Sequence, residues 1–270
     1  MRQIQILPST TQSEGARYSL LATACVAPPP APGLARAEPA ERLSDYGDAL
    51  AKWVDHRDPR IGNIIVLENS GQLVNELVDE IAKRVRKPQR GIELISYVGP
   101  ARAPGLHYGF SEFQMIDHLL DSATGALNER LIKTTGRYYY PAISRLLDRL
   151  PENFSFVADS VVHAAVPYLG RAGGRTTRTG LFIAEAHFFD TKLRRLYQIM
   201  QPINRLSHID DLIFDVFRGE HGREGIYMRF PVNCEPEGIG GNGDNFGSPK
   251  KRVKGALRGL LRAVAPSIWL

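Results

Sequence analysis

Cysteine is scarce in this chain. Two in 270 residues, Cys25 and Cys234, are too few and too far apart in sequence for a disulfide framework or a cysteine-built zinc site, and they suit a reducing compartment. No apolar run approaches the roughly 20 residues that a bilayer-crossing helix needs. The first residues lack the charged start, apolar run and small-residue cleavage site of a secretory signal. A cytoplasmic protein is expected, with the inner face of the plasma membrane left open as a place of association. Seven histidines show no metal-ligand spacing. No Walker or Rossmann glycine motif and no nucleophile elbow is present, nor any internal repeat. Asp-x-Asp, a common way to gather oxygen ligands for a hard cation, does not occur anywhere.

What is present is an ordinary globular composition, 43% hydrophobic, with a net charge of +5. Much of that charge lies near the end, where Lys250, Lys251, Arg252, Lys254, Arg258 and Arg262 meet no acidic residue. This is a local patch rather than a nucleic-acid-binding surface spread over a fold. Its helical spacing sets Val253, Leu257, Leu260, Leu261 and Val264 along one side. Two readings stand about equally: contact with anionic lipid through Lys250–Trp269, or packing of the apolar side onto the protein with lysines outside.

Short apolar runs alternate with amphipathic stretches. Strands are expected at 18–26, 63–68, 92–98 and from Leu131, then at 154–159 and 180–185. Helices are expected at 41–53, 73–85, 112–122, 192–200, 210–217 and 250–264. Residues 1–17 read as frayed, 27–39 as a proline-rich loop, and 238–248 as a flexible glycine-rich loop before the terminal helix. The pattern predicts one α/β domain over 18–237, with a mostly parallel sheet covered by helices. Ligands of such sheets bind at the carboxyl ends of the strands.

Three polar turns fall at that edge. Lys133-Thr134-Thr135-Gly136-Arg137-Tyr138 follows a buried run and concentrates donors suited to phosphate beside an aromatic ring; it reads equally as a strand end with solvated basic residues and core tyrosines. Glu68-Asn69-Ser70-Gly71 closes another strand with a carboxylate, an amide and a hydroxyl; it reads equally as a hydrogen-bonding ligand turn or a helix cap. Gly109-Phe110-Ser111-Glu112 has the form of an N-cap, with Ser111 capping. Asp210-Asp211 opens a helix, where it is either a general base for a hydroxyl or an acid stabilised by the helix dipole.

The order of these segments resembles bacterial glycosyltransferase-like proteins of surface-polysaccharide clusters (capsule or O-antigen), which have a GT-A-type, Rossmann-like fold. The resemblance runs over about residues 18–217. It is carried by Leu20–Ala24 before a proline-containing loop, by the Glu68 and Gly109 turns, by a Lys-x-Thr-Gly-Arg-Tyr signature at Lys133–Tyr138, and by Phe188-Phe189 with Ile209-Asp210. It implies transfer of a sugar from a nucleotide-sugar donor to a glycan or lipid-linked acceptor, without nucleic acid as partner and without an Asp-x-Asp-bound metal.

The residue roles that follow are implied by that resemblance. Thr23 and the Pro28 loop lie near the nucleotide, Glu68, Asn69 and Ser70 read base or ribose, and Lys133 and Arg137 neutralise phosphate with Thr135 and Gly136 beside them. Gly109, Glu112, Tyr138 and Asp159 line the substrate. Asp210 is the base where relatives commonly carry Glu, so the assignment stays open between Asp210 and Asp211. Apart from the resemblance, the arginines of 170–179 are, if phosphate binds, further candidates to replace metal charge. Two competitors remain: a nucleotidyltransferase, which normally needs a glycine-rich phosphate loop and metal-binding acids, and a non-enzymatic glycan- or membrane-associated module.

Overall fold

Strands β2 (Tyr18–Ala24), β3 (Ile61–Glu68) and β4 (Ile92–Ser96) form because their apolar residues run continuously instead of alternating. Every residue of β2, and all of β3 but Asn63, is buried, as expected where both faces of a parallel sheet are covered. These strands belong to a computed structural model that describes residues 2–7, 15–31, 33–122, 127–162, 175–202 and 207–264. The chain divides into two compact units: residues 1–98, 131–141 and 235–253, and the remainder. The architecture is α/β, with a mostly parallel sheet flanked by helices, as the sequence pattern predicts.

In the first unit the strand order is β1-β4-β3-β2-β5. β2, β3 and β4 pair in parallel, with Ala24 opposite Glu68 and Glu68 opposite Ser96, so three strands end at one edge. β5 (Arg130–Thr135) lies on the other side of β2, where Gly136 N–H donates to Thr23 O at 2.8 Å. The end of β5 is therefore beside the end of β2, and these strands too run parallel. β1 (Arg2–Leu7) pairs antiparallel with β4, a correction to the frayed start expected for 1–17.

Helices α1 (Pro39–Asp55) and α2 (Val74–Arg84) make the crossovers. Pro39 opens α1 at a position whose N–H has no partner in a helix anyway. α1 meets α2 closely at Gly47, where a side chain would lie 3.2 Å from Glu80 O. The two-stranded ribbon β6 (Tyr138–Tyr139) and β10 (Glu237–Gly238) completes this unit. Trp53 of α1 is fully buried and donates Nε1–H to Tyr138 O at 2.8 Å.

The second unit holds α3 (Gly109–Ser122), α4 (Ile143–Leu147) and the strands β7 (Phe156–Val162), β8 (Arg175–Glu185) and β9 (Ile226–Tyr227). β7 pairs antiparallel with β8 and parallel with β9. Its core is aromatic: Phe156 stacks on Phe188, and Phe113 and Phe182 each lie near-parallel to Phe189.

Two expectations are corrected in this unit. Residues 175–179 belong to β8 rather than to a loop, while 170–174 lie outside the described residues. The helix expected over 192–200 is broken: α5 (Ala186–Phe188) runs into a π turn at Phe189–Leu193, and a 3-10 turn follows at Leu196–Ile199. Arg195 divides them with φ 63°, held there because its N–H donates to Asp117 Oδ2. α6 (Ile209–Phe217) and α7 (Pro249–Val264) are the remaining helices.

Candidate functional site

The unit-1 strand order reverses direction at β2. From β2 the chain moves outward through β3 to β4, then returns to lay β5 on the opposite side of β2. The switch lies at the carboxyl ends of β2 and β5, the place where open α/β sheets bind ligands.

Buried side chains hold the exit of β2 on both sides. Glu68, fully buried, accepts N–H groups from Val26 (3.2 Å), Ser70 (2.8 Å) and Gly71 (2.8 Å), besides the Ser70 hydroxyl. Ser96 Oγ lies 3.4 Å from its Oε2, and Ser70 Oγ accepts from Ala27 N at 3.3 Å. Across the segment, Tyr46 OH accepts from Cys25 N at 2.8 Å and Arg42 Nε donates to Cys25 O at 2.6 Å. A loop leaving a strand would otherwise bury unpaired backbone groups. Glu68 and Ser70 thus shape the loop, while Asn69 sits in the turn with N–H on Ala24 O and a buried Oδ1 that has no hydrogen-bond partner among the described residues.

The exit of β5 is equally constrained. A Cβ on Gly136 would meet Thr23 O at 3.0 Å and the Tyr46 ring at 3.2 Å, so glycine lets β5 approach β2 and α1. The next residue, Arg137, is buried with its guanidinium near the Tyr46 and Tyr138 rings (6.0 and 5.9 Å), and Nη1 donates to Ile239 O at 2.8 Å. Thr23 Oγ1 donates to Thr134 O, and Lys133 and Thr134 are fully buried in β5. Thr135 is half-buried at its end.

The glycine-rich stretch expected to be a flexible loop is anchored at this same edge. Gly241 O accepts from Ala35 N (2.9 Å) and Arg36 N (3.0 Å) of the proline-rich loop, and Phe246 packs edge-on to Tyr138. At φ 129°, Gly238 lies so close to Arg137 O that a Cβ would be 2.1 Å away. Arg36 is gripped by Asp45 through Nε and Nη2 (3.1 and 2.8 Å), a hydrogen bond that raises its pKa further. Sequence reasoning missed Arg42, Tyr46, Ile239 and Gly241. One signal was legible: Arg42 and Tyr46 stand i, i+4 on the apolar stripe of α1, and a cation in an apolar stripe asks for a reason.

The second unit joins two other expected segments. A Cβ on Gly109 would lie 2.4 Å from Ile209 Cγ2, so this glycine lets the start of α3 sit against the start of α6. His107 N–H donates to Ser207 O at 2.9 Å, and the His107 and His208 rings are 4.2 Å apart. The helix opens at Gly109, which puts Ser111 and Glu112 inside its first turn and corrects the capping role expected for Ser111.

Asp210 Oδ1 accepts from Thr179 N at 3.3 Å and from the Thr179 hydroxyl. The carboxylate of Asp211, a half-buried residue, has no hydrogen bond or ion pair among the described residues. Asp159 is taken up by both oxygens with Arg262 Nη2 at 2.6 Å, with Arg178 at 3.6 Å. Burial pushes the Asp117 carboxyl above its ordinary range, opposed by Arg194. Among the described residues no three His, Cys, Asp or Glu side chains form a metal-binding group.

No family model matches the chain, and no curated protein does. Solved structures give distant likenesses. Mouse xyloside xylosyltransferase 1 is 11% identical, with a TM-score of 0.43 over 78% of this chain and 83% of that one. The glycosyltransferase GlyE of Streptococcus pneumoniae is 10% identical, with a TM-score of 0.43 over 76% of this chain and 44% of that one. A cytidylyltransferase from Leptospira borgpetersenii is 14% identical, with a TM-score of 0.37 over 78% and 74%. At such identities and scores these likenesses assign neither an activity nor a residue.

Proposed function

We propose that the protein transfers a glycosyl group from a nucleotide-activated sugar to a glycan or lipid-linked acceptor in surface-polysaccharide assembly, and that the donor binds at the unit-1 edge. One observation carries this reading. The reversal of strand order at β2 coincides with the Gly136-Arg137 turn and with a glycine-rich loop that fixes the Arg137 guanidinium.

In the proposed reaction the acceptor oxygen bonds to the anomeric carbon as the carbon–oxygen bond to the diphosphate breaks. The electron pair leaves with the nucleoside diphosphate, and the acceptor proton passes to a carboxylate. A preorganised guanidinium and backbone N–H groups stabilise the charge that builds on the leaving group. We assign that part to Arg137, with Lys133 adding positive potential from inside β5. Asn69 is the group of its turn assigned to base or ribose, because Glu68 and Ser70 hold the loop. The resemblance leaves the base between Asp210, which is tied to Thr179, and Asp211. The chain lacks Asp-x-Asp, and the assignment uses cationic side chains instead of a metal held that way.

Thermal-shift measurements with UDP-, GDP-, CMP- and dTDP-sugars test the reading, because a ligand stabilises the state it binds. Selective stabilisation by one nucleotide class is expected, and it should fall in Arg137→Lys, which keeps the charge but loses the planar fork. Arg137→Ala is the poorer probe, since it also frees the glycine-rich loop. A flat response to all four classes would overturn the proposal. Pyrophosphate release from a nucleoside triphosphate would replace it with nucleotidyl transfer. Of Asp210→Asn and Asp211→Asn, the variant that removes the base should lower kcat about 100-fold or more with little change in donor affinity.

A further inference from the structure

Helix α7 is docked the opposite way from an ordinary amphipathic surface helix. Its inward contacts are made by small and charged residues. Gly255 is buried with its carbonyl accepting from Asn233 Nδ2 at 2.9 Å, and a side chain at Gly259 would meet Asn233 at 3.4 Å. Arg262 reaches Asp159 through Nη2 and Phe230 O through Nη1 at 3.0 Å. Four aliphatic residues face solvent: Val253, Leu257, Leu260 and Val264 are 71%, 56%, 59% and 69% exposed. At 3.6 residues per turn these four fall within about 60° of one another, and Gly255 and Arg262 lie on the opposite side of the helix.

Cations border the stripe. Lys250 and Lys254 flank it on one side and Arg252 on the other, all three exposed, and the helix contains no acidic residue. Lysine stems can lie along an apolar surface while their heads reach anionic groups. A second copy of the helix laid on this stripe would bring the same cations against each other, which opposes self-pairing. No helix among the described residues is long and apolar enough to cross a membrane.

We propose that α7 is an interfacial anchor, its Val253-Leu257-Leu260-Val264 stripe seated among the acyl chains of an anionic bilayer surface and its basic flanks on the headgroups. This inference stands apart from the glycosyl-transfer reading and is tested without any donor. Full-length protein is floated with phosphatidylcholine vesicles and with vesicles containing about 30% phosphatidylglycerol. Partition to the anionic vesicles is expected to be roughly tenfold higher or more, and to fall in about 0.5 M salt. Leu257→Asp with Leu260→Asp should cut it at least about tenfold with the melting curve unchanged, because both side chains are exposed. Lys250→Glu with Lys254→Glu should lower it while leaving the stripe intact. Equal or absent partition to the two vesicle types, or unaltered binding by the double aspartate variant, would overturn the proposal. So would a wild-type dimer that the variant abolishes, without vesicle binding.

Discussion

One buried acid in each unit, Glu68 in the first and Asp159 in the second, is stabilised by a different kind of partner. In the first, Glu68 is surrounded by backbone: three N–H groups from two successive loops converge on one buried carboxylate. In the second, Asp159 is matched by side-chain cations, Arg262 at 2.6 Å and Arg178 at 3.6 Å. The first arrangement sets the path of a loop, because N–H positions are loop geometry. The second joins elements distant in sequence, β7 and α7, through Arg262, with Arg178 of β8 nearby. An acid satisfied by backbone N–H groups thus organises its own surroundings, and one satisfied by arginine acts as a clasp.

Substitutions can break that contrast. Glu68→Ala leaves three N–H groups without their acceptor and should cost about 4 kcal/mol or more by denaturant unfolding. Arg262→Ala should cost about 3 kcal/mol, moderated by Arg178 remaining near Asp159. If the arginine variant proved the more damaging, the ranking of loop-setting over clasping would be reversed. Gly109→Ala, which drives a methyl group into Ile209, should cost about 2 kcal/mol, and Ile209→Ala should restore part of it in the double variant. Additive losses would show that the contact is not what places α3 against α6.

The smallest effect is one of pH. His56, with Nδ1 2.9 Å from Tyr139 OH, is held below its ordinary pKa by burial first and then by Arg90. A base whose folded pKa is lowered binds fewer protons when folded than unfolded. Its stability is therefore intact above the ordinary histidine pKa of 6.5 and declines as pH falls below it. The melting temperature should drop between about pH 7 and 5, and His56→Gln should flatten that slope. An unchanged slope would place the acid sensitivity elsewhere.

Strands with continuous apolar runs were legible in the sequence, and so were helices with a clean stripe. β2, β3 and β4 lie close to their expected bounds, and α1, α2, α3 and α6 follow their periodicity. Local pattern failed where distant partners decide the outcome. The 192–200 stretch has helical composition, but Asp117 from α3 pins Arg195 in a left-handed turn and breaks it. The glycine-rich stretch reads as mobile by composition, yet it is fixed by Gly241 O and Ile239 O, groups that every residue carries and no sequence advertises. For the site residues the limit was similar. Glu68 and Arg137 are conspicuous by type and position, but their partners are backbone atoms of the loops they organise. Thr23 donates to Thr134 O and Asp159 binds Arg262, partners more than 100 residues away that no local pattern shows. For α7 the periodicity was plain, and the direction in which its apolar side points depends on Gly255, Gly259 and Arg262 fitting inward.

One feature at the opposite end of the chain bears on handling the protein. β1 zips antiparallel along β4, from Arg2 opposite Ser96 to Leu7 opposite Ile92. Trimming those few residues would bare a row of hydrogen-bonding groups on a hydrophobic strand, an invitation to aggregate with other molecules. A purification tag is therefore safer at a distance from Met1, and a shortened clone that precipitates would report a lost guard strand rather than a failed core.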